Sequence, residues 1–258
     1  MESELEIKKS ICEIGSRIYR NGFVAANDGN ISVKTGDNEF YCTPTGVSKG
    51  YLTPGMILKV NGEGHLLEQN EKYRPSSELK MHLRVYRERS DVRAVVHAHP
   101  PYATAHAVAG IPLDFYLMPE AVISLGEVPL TKYGTPSTAE IPDAISGALQ
   151  NHDAVLLQNH GALSVGDSLI HAYYKMETLE YDAKIHFLAN LLGGGKELTP
   201  EQVQKLMDVR KKMGVSGRYP EHRDRSSGTA EPLPAAVVPT ETLVAEITKR
   251  VLAALGRP

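Results

Sequence analysis

The chain of 258 residues contains no tryptophan, and aromatic residues make up only 6% of it. That argues against stacking platforms for sugar rings; a small, polar or phosphorylated ligand does not need them. Two cysteines, Cys12 and Cys42, are too few for a disulfide framework. No run of about 18 or more apolar residues occurs, so no membrane span is expected. An excess of one charge is missing as well. With 28 Lys and Arg against 31 Asp and Glu, the net charge of −3 gives no basic field to attract nucleic acid. The opening MESELEIKKSICEIGSRIYR carries charges throughout, unlike a secretory leader. The expectation is a cytoplasmic protein acting on a small polar molecule.

What is present is a mixture of helical and strand patterns. Leu5, Ile7, Ile11, Ile14 and Ile18 recur at helical spacing, and Gly22 can stop that helix. Residues 30–34 and 39–43 read as a hairpin around Thr35-Gly36-Asp37-Asn38, and a second hairpin is predicted around Asn61-Gly62. Ser76 or Ser77 reads as the N-cap of a helix carrying Leu79, Leu83 and Tyr86. Residues 93–99 form a β-branched run ending in HAHP, and Pro100-Pro101 opens a helix through Ala109. Further helices are predicted over 138–150, 168–192 and 199–213, with a strand-turn-strand over 154–165. Hairpins dominate the strand connections. The fold class expected is therefore α/β, a three-layer α/β/α arrangement around a mainly antiparallel sheet.

The chemistry is concentrated in histidines. His97 and His99 stand two apart in a predicted strand, so alternation turns both imidazoles to one face. His160, in Asn159-His160-Gly161 after a separate strand, can add a third nitrogen, and Glu78 can add an oxygen. Three imidazoles and a carboxylate suit Zn²⁺. His65, His82, His106, His152, His171, His186 and His222 have no partner at ligand spacing and are read as structural or surface groups. Gly29-Asn30, Thr45-Gly46 and Ser76-Ser77 are small residues beside donors, which lets backbone N–H groups and hydroxyls approach an anion.

The ordered series Gly29-Asn30, Thr43-Pro44-Thr45-Gly46, Ser76-Ser77-Glu78, His97-Ala98-His99 and Asn159-His160-Gly161 resembles the class II aldolase/adducin-head family over roughly residues 4–215. That resemblance implies one zinc ion per subunit, held by His97, His99 and His160. Glu78 would be a ligand at rest and general base in turnover. It implies that Gly29, Asn30, Thr45, Gly46, Ser76 and Ser77 hold the substrate phosphate. It also implies a catalytic tyrosine, matched by Tyr116, for the aldehyde oxygen. A second tyrosine usual in the family falls on Met213, with Tyr219 a few residues on. The activity implied is retro-aldol cleavage of L-fuculose 1-phosphate, with L-rhamnulose 1-phosphate as a second candidate, to dihydroxyacetone phosphate and L-lactaldehyde. The assembly implied is a C4 homotetramer with sites between neighbours. Two alternatives stay open: a sugar-phosphate 4-epimerase or dehydratase on the same scaffold, and a non-catalytic interaction module like the adducin heads. The epimerases typically carry Asp at the position of Glu78, and the adducin heads lack the metal residues.

Composition changes near residue 222. The catalytic domain is placed at 1–221, a flexible linker at 222–239 and an amphipathic helix at 240–256. Leu243, Val244, Ile247, Val251, Leu252 and Leu255 form one apolar stripe, and Glu246 and Arg250 make an i,i+4 pair. A linker followed by such a helix resembles the encapsulation peptides of bacterial microcompartment enzymes. This implies partners among shell or core proteins and a location inside such a compartment.

Overall fold

The structure, a computed structural model, describes residues 3–219. The expected linker and terminal helix lie outside the described residues. Helix α1 (Glu4–Arg20) begins in a capping box between Ser3 and Glu6, and it buries Ile7, Ile11, Ile14 and Ile18 on one stripe. Strands β1 (Asn30–Gly36) and β2 (Glu39–Cys42) form the first hairpin. Then come β3 (Leu58–Val60), α2 (Leu79–Glu88), β4 (Ala94–Ala98) and α3 (Pro101–Ala109). The chain continues through α4 (Pro119–Ser124), β5 (Leu130–Thr131), α5 (Glu140–Ser146), β6 (Ala154–Leu157) and β7 (Gly161–Gly166). Helices α6 (Leu169–Leu191) and α7 (Pro200–Met213) close the described part.

The strands make one sheet of order β3-β2-β1-β4-β7-β6-β5. Every pairing is antiparallel except β5 with β6. Alternation along the strands feeds two cores. Ile31, Val96, Leu156 and Ala162 pack under α1, α3 and α6. Val95, Val155, Leu163 and Val165 pack under α2 and α5. The three-layer arrangement is the direct result, since both faces of the central strands are apolar and both need a cover.

Several expected elements are trimmed. β4 stops at Ala98, one residue before His99. The return arm of the second hairpin shrinks to a single bridge between Val60 and Leu66. The helix expected over 138–150 breaks into α5 and a 3₁₀ turn, Ala148–Gln150. At the start of α2 the cap position is taken by Glu78, not by a serine; Ser76 heads the preceding turn, its Oγ accepting from Glu78 N at 3.3 Å. Glu78 is thereby placed at the mouth of the helix instead of inside its first turn.

Candidate active site

The β1–β4 register sets Asn30 opposite His97. Two residues from Val95, His97 points to the α2 side of the sheet. His99 lies just past the strand end yet returns to the same place, its Nε2 3.2 Å from Nε2 of His97. His160 arrives from the β6–β7 turn, where Asn159 adopts φ 56°, a left-handed conformation that Asn tolerates. Gly161 must be small: a Cβ there would meet Ala98 O at 2.5 Å and the His99 ring at 2.6 Å. One ligand nitrogen from each of the three histidines lies within 4.8 Å of the other two.

Glu78 completes the cluster. Its Oε2 accepts from Asn30 Nδ2 at 2.9 Å and lies 3.5 Å from His97 Nε2; its Oε1 is 3.2 Å from His160 Nε2. His97 Nδ1 donates to Ala162 O at 2.9 Å, which leaves the Nε2 lone pair facing the cluster. Burial pushes the His97 pKa well below its ordinary value, and His99 and His160 push it further. Burial and His160 also lower His99, against the pull of Asp28 and Glu78. Neutral imidazoles are the form that ligates metal. Glu78 Oε1 is buried with no hydrogen-bond partner, and a cation among the imidazoles would satisfy it. Three nitrogens and one carboxylate oxygen match the zinc donor set, so these residues fit that ion.

Beside the cluster opens a cleft of about 210 Å³, lined by Gly29, Asn30, Thr45, Ser76 and Ser77 together with Glu78 and His160. Thr45 N already donates to Arg74 O at 2.9 Å, so its hydroxyl is the free donor. Gly29 has φ 74°, and a Cβ on it would meet His97 O at 2.9 Å. Gly46 does not line the cleft; at φ 72° it turns the loop that presents Thr45. A larger hollow of about 820 Å³ runs along α1, among Glu4, Arg17, Lys59, Arg93 and Asp167. It borders none of the imidazole cluster, and size alone misplaces the chemistry.

Tyr116 is not brought to the cleft of its own chain. Only 3% exposed, it packs with Val122, Val203 and Tyr219 and donates to Glu127 Oε1 at 2.8 Å. Met213 ends α7 in an exposed position. Three cleft residues carry no signal strong enough to single them out from sequence: Asp28, whose Oδ2 lies 3.6 Å from His99 Nδ1, and Lys49 and Ser137. Asp28 and Lys49 adjoin flagged motifs, and that adjacency was the available clue. Ser137, which donates to Ser77 Oγ at 2.8 Å, is far away in sequence and had none. Among the other histidines, His106 and His186 do have a partner, each other, at 2.8 Å between α3 and α6. His82 is buried against Ser32 Oγ at 2.7 Å.

Comparison with known proteins agrees with this geometry. Residues 9–187 match the family model described as Class II Aldolase and Adducin N-terminal domain. The L-fuculose phosphate aldolase of Methanococcus vannielii is 37% identical over 180 residues, 70% of this chain and 95% of its own length. The 3-oxo-tetronate 4-phosphate decarboxylase of Escherichia coli K12 is 32% identical over 189 residues, 72% of this chain and 88% of its own. A solved L-fuculose 1-phosphate aldolase superposes with a TM-score of 0.74 at 28% identity, covering 81% of this chain and 100% of that one. The histidine cluster, the adjoining cleft and these likenesses share one explanation: the chain belongs to the class II aldolase and adducin N-terminal domain family.

Proposed function

We propose that the protein is a zinc-dependent aldehyde-lyase that cleaves L-fuculose 1-phosphate, with L-rhamnulose 1-phosphate as a second substrate, to dihydroxyacetone phosphate and L-lactaldehyde. The observation that carries this reading is the position of Glu78, with one carboxylate oxygen against His160 and the other held by Asn30 at the edge of the cleft. A phosphate held by Asn30, the Thr45 hydroxyl, Ser76 and Ser77 would set the neighbouring carbons against the imidazole cluster. Zinc, when bound there, supplies a Lewis acid for the negative charge that develops on the substrate oxygens. Glu78 is within reach to deliver a proton to the carbon that keeps the electron pair when the carbon–carbon bond breaks. The hydroxyl that becomes the aldehyde must lose its proton, and Tyr116 is the proposed acceptor, passing its own phenol proton to Glu127 Oε1, to which it already donates. Since Tyr116 is buried away from the cleft of its own chain, this role requires the cleft of a neighbouring subunit, as in a C4 tetramer.

A second reading is favoured by the decarboxylase relative, whose identity to this chain is close to that of the aldolases. The same residues would then anchor a phosphorylated 3-oxo acid and protonate the carbon left after carbon dioxide departs. The experiment is an assay of the zinc-loaded protein with ketose 1-phosphates, coupled to reduction of dihydroxyacetone phosphate. Triose phosphate should appear, disappear after stripping with a strong chelator, and return with zinc. Carbon dioxide release from a 3-oxo acid phosphate without triose formation would select the second reading. Full activity after metal stripping would overturn the zinc assignment.

A further inference from the structure

Lys49 forms the floor of the cleft and is only 1% exposed. Its Nζ donates to Asn27 O at 2.8 Å and Val47 O at 2.7 Å. Those carbonyls belong to the two loops that carry Gly29-Asn30 and Thr45-Gly46, so one ammonium ties together both halves of the phosphate wall. Among the described residues no carboxylate oxygen comes within ion-pair distance of it, although Asp28 and Glu78 act on it from further away. A buried ammonium held only by carbonyls is a costly arrangement. The cost is recovered if an anion enters the cleft above it. Lys49 is also the only Lys or Arg among the residues lining the cleft, where hydroxyls of Thr45, Ser76, Ser77 and Ser137 supply donors without charge.

We infer that Lys49 is the fixed positive charge of the phosphate end of this cleft, the group that makes the protein select a phosphorylated ligand over its unphosphorylated counterpart. The inference rests on the reading of the cleft given under the proposed function. It adds to that reading a charged residue outside the Gly-Asn, Thr-Gly and Ser-Ser pairs. Burial pushes the Lys49 pKa down to about 8, with Asp28 and Glu78 opposing the fall, so the group remains mostly protonated at neutral pH. A bound dianion would hold it protonated further.

The test compares dihydroxyacetone phosphate with dihydroxyacetone, and adds inorganic phosphate as competitor, on the zinc-loaded full chain. K49M removes both charge and hydrogen bonds. K49Q removes the charge and keeps an amide able to donate to the two carbonyls, so it carries the test if K49M folds poorly. Both variants should keep their zinc content and their affinity for dihydroxyacetone. Both should bind dihydroxyacetone phosphate about tenfold to a hundredfold more weakly, with inorganic phosphate losing its effect as competitor. A K49Q protein that still discriminates like the wild type overturns the assignment and leaves the cleft reading standing. Equal weakening toward both ligands also overturns it, by reducing Lys49 to a structural tether. A wild-type protein indifferent to the phosphate overturns this inference and the reading beneath it together.

Discussion

At the scale of single residues, the proposed function gives Glu78 two roles that can be separated. As a neighbour of His97 and His160 it would offer an oxygen to an ion; as an acid–base group it would carry a proton to carbon. Glu78→Gln keeps an oxygen and the size of the side chain but cannot exchange that proton. The expected result is a kcat lower by about 10²–10⁴-fold, with zinc content and KM close to wild type. Unchanged turnover would remove Glu78 from the proton transfer. The histidines of the cluster were legible because strand alternation is local: His97 and His99 stand two apart, and although the strand ends at Ala98 the two rings still meet. Lys49 was not, since only tertiary packing of its loop against α1 makes it buried; its carbonyl oxygen lies 2.7 Å from where a Cβ on Gly15 would be. The mutual hydrogen bond of His106 and His186 was hidden for the same reason, being made between two helices distant in sequence.

At the scale of elements, the site depends on the tight β6–β7 turn meeting the end of β4. Leu157 pairs with Gly161 and Ala98 with Ala162, so the turn has no slack. A methyl group at Gly161 meets a backbone carbonyl on one side and the His99 ring on the other. Gly161→Ala should cost about 1–3 kcal/mol of stability by overpacking. It should also lower zinc affinity by turning His99 away from His97. Thermal melting and metal analysis check both effects, and wild-type values in both would show that the turn can yield. Long elements were the legible ones: α1, α6 and α7 each span enough turns to display an apolar period or caps. α4, with 6 residues, and β5, with 2, are too short to show one. The sheet's single parallel pairing comes from β5 and was equally invisible.

At the scale of the whole molecule, the described core closes on itself before the tail begins. Arg89, fully buried, pairs with Asp153 at 2.7 Å, and Lys175 reaches the same carboxylate at 2.6 Å. Arg218 N donates to Asp153 Oδ2 at 3.1 Å, which fastens the end of the described chain to this buried network. All the residues of the imidazole cluster and of the cleft lie upstream of that anchor. We propose that the region from 222 on is dispensable for the chemistry and that the apolar pattern of Leu243, Ile247, Val251 and Leu255 in its sequence serves a partner, in keeping with its resemblance to an encapsulation peptide. The helix expected there from sequence is short enough to be marginal alone in water. Deleting residues 226–258 should leave lyase activity, zinc content and melting temperature unchanged, and should abolish co-assembly with compartment shell proteins in a co-expression assay. Fusing the deleted segment to an unrelated soluble protein should carry that protein into the shell. A truncated enzyme that still loads, or one that loses activity with the tail, would rule out the cargo role and assign the segment to the enzyme's own assembly.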